Sequence, residues 1–382
     1  MVWINFLHLY QPANLEDYYI KEAAEKSYFR ILRALEENPN LKFTLNMSGC
    51  LLERLHNLQY NDFFSRVKKL ITQGQVELVG SAAYHPILPL IPESEIIAQI
   101  KENERIIKKY FGKIRLRGFF FPEMAYSAKA ARIIKKLGYE WLILDEASAK
   151  AKISENELND IYTDSASGLK VVFRNRKISN TYIPEYLKNN LSKNNYSQTI
   201  ITATDGELYG LRHIDHTGEF EKIIKNKSIT TETISKYISK NKPAKKISLR
   251  NSSWESTEEE LKNGNPYALW QNNKNLIHKM LWTLAGLALS TENKFKKDKN
   301  NYWSRWHLVR GLASCTFWWA SGRDLRKKFG PLAWSPDDIE RGINELVRSI
   351  RSINNPSAKK YKIQAEKINA SLRSLIWETH WK

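Results

Sequence analysis

Two spacings of apolar residues alternate through the first half of the chain. Short runs rich in β-branched and aromatic residues occupy positions 2–9, 41–47, 76–80, 115–121, 141–144, 169–173 and 199–203. Between the earlier runs, apolar residues recur every three or four positions, at 16–37, 51–73, 94–111 and 127–137. The first spacing predicts buried strands and the second predicts helices with one buried face. Asn38-Pro39, Gly74, Gly112 and Gly138 follow the helical stretches, where proline stops a helix or glycine caps it. Strands and helices that alternate across short connections predict βα units and a parallel sheet. An open doubly wound sheet usually carries a glycine-rich phosphate turn after its first strand. Here that position reads His8-Leu9-Tyr10-Gln11-Pro12, so a closed or nearly closed β/α barrel is expected. Chemistry in such barrels gathers at the C-terminal strand ends.

The pattern changes after about Thr217. Residues 219–246 are Lys-rich and polar, with one helix expected near 231–240. Residues 251–270 read as a loop that carries Trp254, Tyr267 and Trp270. Helical spacing then covers 276–290, 303–319, 336–353 and 357–377. This predicts a bundle of about four helices. The expected division is residues 1–250 as the barrel and 251–382 as a helical domain that closes the active site.

Composition narrows the class. With 382 residues, 42% hydrophobic and 12 Trp, a sizeable core can form. Two cysteines, Cys50 and Cys315, give neither a disulfide framework nor zinc spacing. The opening MVWINFLHLY has no basic region before an apolar run and no apolar run of membrane-spanning length. A cytoplasmic protein with no membrane partner is expected. The formal charge of +19 comes mostly from dispersed lysines, which favours a compositional cause over a specific nucleic-acid partner.

Ionisable and polar residues collect at the ends of the expected strands: His8, Tyr10, His85, Glu123, Asp145, Glu146, Asp205 and Glu207. Packing alone does not require this, because a buried charge must be paired or neutralised. The most pointed case is Thr199-Ile200-Ile201-Thr202 running into Asp205-Gly206-Glu207. Asp-Gly alone reads as a turn, but Phe119-Phe120-Phe121-Pro122 delivers Glu123 in the same way. In extended chain, residues 205 and 207 would share a face. His8 and His85 read either as hydrogen-bonded core histidines or as neutral imidazoles that bind hydroxyls. No close pair of ligands such as His-x-x-x-His supports a metal.

Separated blocks resemble glycoside hydrolase family 57, over nearly the whole chain. They are His8-Leu9-Tyr10-Gln11-Pro12, Gly80 to His85 with Leu88-Pro89, Phe121-Pro122-Glu123, Asp205 to Gly210, and the later pair Asn251 to Trp254 and Ala313 to Trp319. Two departures stand out. Tyr10 replaces the second histidine of the first block, and no Asp lies near Cys315. The resemblance implies an incomplete (β/α)7 barrel followed by a helical bundle, acting on α-glucans without a cofactor. It implies α-amylase, 4-α-glucanotransferase or branching chemistry with retention of configuration. It makes Glu123 the nucleophile and Asp205 the acid/base.

Retaining cleavage needs two such carboxyl groups, which agrees with the residues. His8, Tyr10, His85, Glu207, Trp254, Trp270 and Trp318 are the expected substrate contacts. Trp254 is favoured because it lies in a polar loop and aromatics stack on sugar faces. At most one of Trp318 and Trp319 should face a site, because helical neighbours diverge. His213 and His216 read as solvated. Three rivals remain: a metal-dependent polysaccharide deacetylase or mannosidase, a silent glucan binder, and a nucleic-acid binder.

Overall fold

The computed structural model describes residues 1–191, 199–241, 245–323 and 333–382. The chain divides into two compact units. The first holds residues 1–11, 15–83 and 88–254, and the second holds 12–14, 84–87 and 255–382.

Apolar runs of the first unit form β1 (Val2–Leu9), β2 (Phe43–Met47), β3 (Val76–Leu78), β4 (Gly118–Phe119) and β5 (Trp141–Asp145). They are followed by β6 (Tyr162–Asp164), β7 (Lys170–Arg174), β8 (Thr199–Asp205), β9 (Thr230–Thr231) and β10 (Lys245–Ile247). One sheet has the order β3-β2-β1-β8, with β9 against the start of β1, and every pairing is parallel. The other has the order β10-β6-β7-β5-β4, in which only β6 and β7 are antiparallel.

Two seams tie the sheets together. At one, Gly80 bridges Phe119 in parallel, and Phe120 N donates to Gly80 O at 2.9 Å. A Cβ at Gly80 would overlap the Tyr139 ring, so only glycine fits that close approach. At the other, Asn175 N donates to Ile201 O at 2.9 Å. Ile4, Phe6, Ile143, Val172, Ile201 and Ala203, drawn from both sheets, share one buried cluster. Each large apolar side chain in it contributes roughly 1.5–3 kcal/mol by leaving water. Burial on both faces explains why β1 and β8 read as near-continuous apolar runs rather than alternating ones.

Several elements depart from the sequence expectations. The predicted strand at 115–121 is only Gly118–Phe119, because the chain beyond it pairs with Gly80 alone and then turns. β6 was not expected; its three residues carry too little pattern. The predicted helix 51–73 is two helices, Gly49–Asn57 and Asn61–Thr72. Between them Gln59 is left-handed (φ 66°), and Tyr60 N returns to Leu55 O. The predicted helix 16–37 is continuous but contains one wide π turn, Ala24–Tyr28, where Phe29 N reaches back to Ala24 O. Positions 242–244 of the Lys-rich excursion lie outside the described residues.

Helices dominate the second unit: Leu276–Lys294, Asn301–Gly311, Ser314–Trp318, Pro336–Ser352 and Lys359–His380. Pro336–Ser352 packs against each of the other four. It does so through Ile339, Ile343, Leu346, Val347 and Ile350, a stripe at helical spacing. The predicted 303–319 helix breaks at Ala313, whose ψ of 139° is extended. Ser314 N there donates to His85 O instead of continuing the helical ladder. The expected loop at 251–270 holds a short helix, Glu258–Lys262, started by a Thr257–Glu260 capping box. Among the described residues no helix is long and apolar enough to cross a membrane.

Candidate active site

Parallel strands deliver their C-terminal residues to one end of the sheet, and the first unit gathers its ionisable groups there. His8 near the end of β1 is in register with Asn46 of β2 and Asp205 of β8. It is buried, and Nδ1–H donates to Asn46 Oδ1 at 2.7 Å, which makes Nε2 the acceptor atom of the ring. Burial lowers its pKa below the ordinary histidine value, against the opposing charge of Asp205, so the imidazole is neutral. Tyr10 stacks on His8 (centroids 5.8 Å apart), and Phe120 and Trp254 flank it at 4.6 and 6.2 Å.

Glu123 follows β4 on a tight turn, Pro122–Met124, with φ of 58° and ψ of 19°. Met124 is also left-handed, at φ 49°. Such conformations cost on the order of 1–3 kcal/mol per non-glycine residue and persist only where the surroundings enforce them. Trp254 is the main enforcer. Its backbone N donates to Glu123 O at 3.1 Å, and its indole Nε1 donates to Glu123 Oε2 at 2.9 Å. Trp254 is itself 9% exposed. Trp254, expected as a substrate contact from its loop position, is buried and holds the Glu123 carboxylate.

Asp205 ends β8 in ordinary extended backbone, and Arg212 Nη1 pairs with its Oδ2 at 2.5 Å. The Arg212 side chain is 61% exposed, so solvent screens the pair and the guanidinium has room to leave. Asp205 and Glu207 do not share an extended face as the spacing suggested. Gly206–Leu208 is a 3-10 turn, and it carries Glu207 into the interior. There Tyr28 Oη and Gln11 Nε2 both donate to Glu207 Oε1, the latter at 2.9 Å. Burial raises the Glu207 pKa above the usual carboxylate value. The charge of Asp205 adds to the shift, while Arg212 and the Tyr28 hydroxyl oppose it.

The π turn serves this segment. It brings Ser27 Oγ to Gly206 O at 2.5 Å and turns Tyr28 onto Glu207. Gly210, at φ 126°, lies so close that an added Cβ would overlap Lys26 O. Wide turns of this kind recur at functional sites.

Asp145 at the end of β5 is fully buried and pairs with two arginines. Arg174 Nε reaches its Oδ2 at 2.6 Å, and Arg176 Nε reaches its Oδ1 at 2.9 Å. Its neighbour Glu146 is half-buried, and burial together with the Asp145 charge raises the Glu146 pKa.

The first unit therefore brings His8, Tyr10, Glu123, Asp205, Glu207 and Trp254 together. The other expected contacts lie in the second unit. There His85, left-handed at φ 59°, is buried with Nδ1 2.9 Å from Ser314 Oγ. Trp270 is fully buried and its carbonyl accepts Trp282 Nε1 at 2.9 Å. Trp318 is half-buried and Trp319 is buried. His213, expected to be solvated, stacks on Tyr182 at 3.8 Å, while His216 is exposed. Among the described residues no three of His, Cys, Asp and Glu converge closely enough to hold a metal ion.

Sequence reasoning missed Gln11, Tyr28, Asn46, Arg174, Arg176 and Arg212. Arg174 and Arg176 had a signal: an Arg-Asn-Arg that ends an apolar strand is as conspicuous as a carboxylate there. Tyr28 had none, since it looks like any apolar position of a helix.

The profile of the family described as glycosyl hydrolase family 57 matches residues 4–250. An alpha-amylase of Pyrococcus horikoshii is 31% identical over 262 residues, which are 63% of this chain and 41% of that protein. The chain thus spans about two fifths of the length of that relative. The crystal structure of 4-alpha-glucanotransferase from Thermococcus litoralis is similar in fold, with a TM-score of 0.72 at 19% identity. It covers 93% of this chain and 60% of its own. The alpha-amylase AmyC of Thermotoga maritima is similar at TM-score 0.68 and 14% identity, over 98% of both chains.

Proposed function

Since the chain belongs to glycosyl hydrolase family 57, which its residues 4–250 match, we propose that it is a retaining enzyme acting on α-glucans, with Glu123 as nucleophile and Asp205 as acid/base. One observation carries the reading: Asp205 ends β8 and Glu123 follows β4 on a turn beyond its C-terminal end, and Glu123 is held in that strained turn by a tryptophan N–H. The activities of the relatives, alpha-amylase and 4-alpha-glucanotransferase, support the substrate class. The ring β8-β1-β2-β3-β4-β5-β7, joined through the Gly80 and Asn175 seams, fits an incomplete (β/α)7 barrel. In this reading residues 1–250 are the catalytic barrel, and the helices of 251–382 are a separate bundle.

The chemistry runs in two balanced steps. A Glu123 carboxylate oxygen attacks the anomeric carbon, the glycosidic bond breaks, and Asp205 gives its proton to the departing oxygen. An acceptor hydroxyl, from water or from another sugar, then attacks the glycosyl-enzyme. Asp205 takes its proton and Glu123 leaves as carboxylate. The ion pair with Arg212 matches the ionised form that Asp205 needs in the second step, and the exposure of Arg212 lets it withdraw for the first.

Neutral His8 offers Nε2 to a sugar hydroxyl, and Tyr10 stacked on it offers an apolar face. Asn46 Nδ2 is buried without a hydrogen-bond partner among the described residues, a donor that a bound hydroxyl would satisfy. Glu207, tied to Tyr28 and Gln11, orients the turn below Asp205. His85, Trp270 and Trp318 are proposed substrate contacts from the helical unit.

The test is product profiling on maltooligosaccharides with the native protein, Glu123→Ala and Asp205→Ala. New shorter or redistributed oligomers, absent with Glu123→Ala, are expected. Oligomers left unchanged by the native protein, or turnover that survives in Glu123→Ala, would overturn the reading.

A further inference from the structure

We propose that Asp145, Arg174 and Arg176 form one brace, buried at Asp145 and Arg174, that sets the spacing between Glu123 and Asp205. The inference rests on the assignment of those two carboxylates as nucleophile and acid/base.

The contacts run from one carboxylate segment to the other. Arg174 Nη1 donates to Ala203 O at 3.1 Å, two residues before Asp205 on β8. Arg176 Nη2 donates to Trp254 O at 2.6 Å, and Arg174 Nη2 reaches the same oxygen at 3.4 Å. The Arg174 guanidinium also lies 5.2 Å from the Trp254 ring centroid. Trp254 in turn grips Glu123 by backbone and indole. Asp145 anchors both arginines from β5, and its Oδ1 also accepts Ala147 N at 2.9 Å. One carboxylate and two guanidinium groups therefore join β5, β7, β8, Trp254 and, through Trp254, Glu123.

The place of the brace explains its need. β7 and β8 are not paired as strands; Asn175 N to Ile201 O is the backbone contact at that seam. Arg174 reaches β8 with a side chain where the next rung of a ladder would stand. A guanidinium presents five N–H groups in a planar fork, so it can hold an anion and carbonyls together at fixed angles, which an ammonium cannot. Stability alone is a poor reason to bury this charge, because apolar residues of similar volume are often at least as stabilising as a buried ion pair. Spacing is a good reason. Retaining glycosidases hold their two carboxyl groups about 5–5.5 Å apart, and a displacement of about 1 Å can cost on the order of 100-fold in rate.

Asp145, Arg174 and Arg176 are positioning residues that act through Trp254 and Ala203. The test uses the full chain with an aryl α-glucoside bearing an activated leaving group. Pre-steady-state bursts give formation and breakdown of the glycosyl-enzyme, scaled to active sites counted by intact mass. Arg176→Ala carries the test because its side chain reaches solvent, 27% exposed against 5% for Arg174; Arg174→Lys is its buried counterpart.

Arg176→Ala and Trp254→Phe should each lower both rates roughly 10–100-fold, with KM changed by less than about threefold. The double variant should lose no more than the worse single, because both act on one contact path. Native burst rates per active site in Arg176→Ala would overturn the brace. So would a loss confined to the number of active sites, which is a folding effect, or additive losses in the double variant. If Glu123→Ala itself turns over, the nucleophile assignment has failed and the brace with it. If Glu123→Ala is inert while Arg176→Ala is native-like, only the brace has failed.

Discussion

Glu123 and Asp205 reach the same end of the sheet by opposite means. β8 runs seven residues in continuous register with β1 and delivers Asp205 in relaxed extended backbone. β4 is two residues long, and Glu123 sits beyond it in the left-handed region. The position of Asp205 is inherited from its own strand. The position of Glu123 is imposed by Trp254, 131 residues away. A group that attacks a carbon must be placed more tightly than one that passes a proton, and the residue held by long-range contacts is the proposed nucleophile. The same contrast appears one turn further on. Asp205 is partly exposed beside an exposed arginine, whereas Glu207, two residues later, is sealed among Tyr28, Gln11 and the protein interior.

Substitutions that preserve shape test the first half of this contrast most severely. Glu123→Gln keeps the turn and the indole contact but removes the nucleophile; kcat should fall on the order of 10⁴-fold or more, with no glycosyl azide of retained configuration when azide is added. Asp205→Asn should fall roughly 10²–10⁴-fold on poor leaving groups and far less on activated aryl glucosides, where azide should restore turnover by attacking without base help. Equal losses of the Asp205 variant on both substrate types, or a glycosyl azide of retained configuration formed by the Glu123 variant, would reverse the two roles.

Effects on stability should be smaller and should fall on the Asp205 side. Gly210→Ala adds a Cβ against Lys26 O at a φ of 126°, and a cost of about 2–4 kcal/mol is expected in denaturant melts. A native midpoint there would mean that the 206–210 turn is not docked on the π turn.

Glu207→Gln should act in the opposite direction. Burial raises the folded pKa of Glu207 above its unfolded value, so above that folded pKa the native state carries a charge that the unfolded chain holds more easily. This penalty is full above the folded value, shrinks as pH falls through it, and vanishes below the unfolded value near 4.5. Glu207→Gln should therefore stabilise the fold at pH above the folded value, an advantage that disappears below the unfolded value, even while activity falls. A gain that grows on acidification would contradict the burial of a disfavoured charge.

Strands of the ring with long apolar runs were legible in the sequence because burial on both faces writes an unbroken pattern. β1, β2, β5, β7 and β8 lie within one or two residues of expectation. β4 was overextended because Phe120 and Phe121 are buried by the core rather than by a ladder. The break at Gln59 left no mark, since a left-handed residue other than glycine is decided by its surroundings.

Chemistry-bearing residues at strand ends could be placed by position: His8 and Asp205 lie in register near the ends of β1 and β8, and Glu123 lies just beyond β4. Their partners could not. Ser314 meets His85 from 229 positions away, and Trp254 meets Glu123 from 131. The expectation for residues 205 and 207 failed at Gly206, where strand geometry gives way to a turn within one residue.

The π turn at Ala24–Tyr28 also constrains how this chain can vary over time. In an α-helix each residue advances the direction of a side chain by about 100°, and a wide turn of this kind accommodates one residue more than the helix requires. Deleting any one of these five positions would restore a regular helix on both sides and remove the wide turn itself. Ser27 and Tyr28 would no longer face Gly206 and Glu207, although every amino acid of the catalytic blocks would be unchanged. Among descendants of this gene, shifts in reading length between positions 16 and 38 should thus be rarer than substitutions there, because the segment counts residues as well as choosing them.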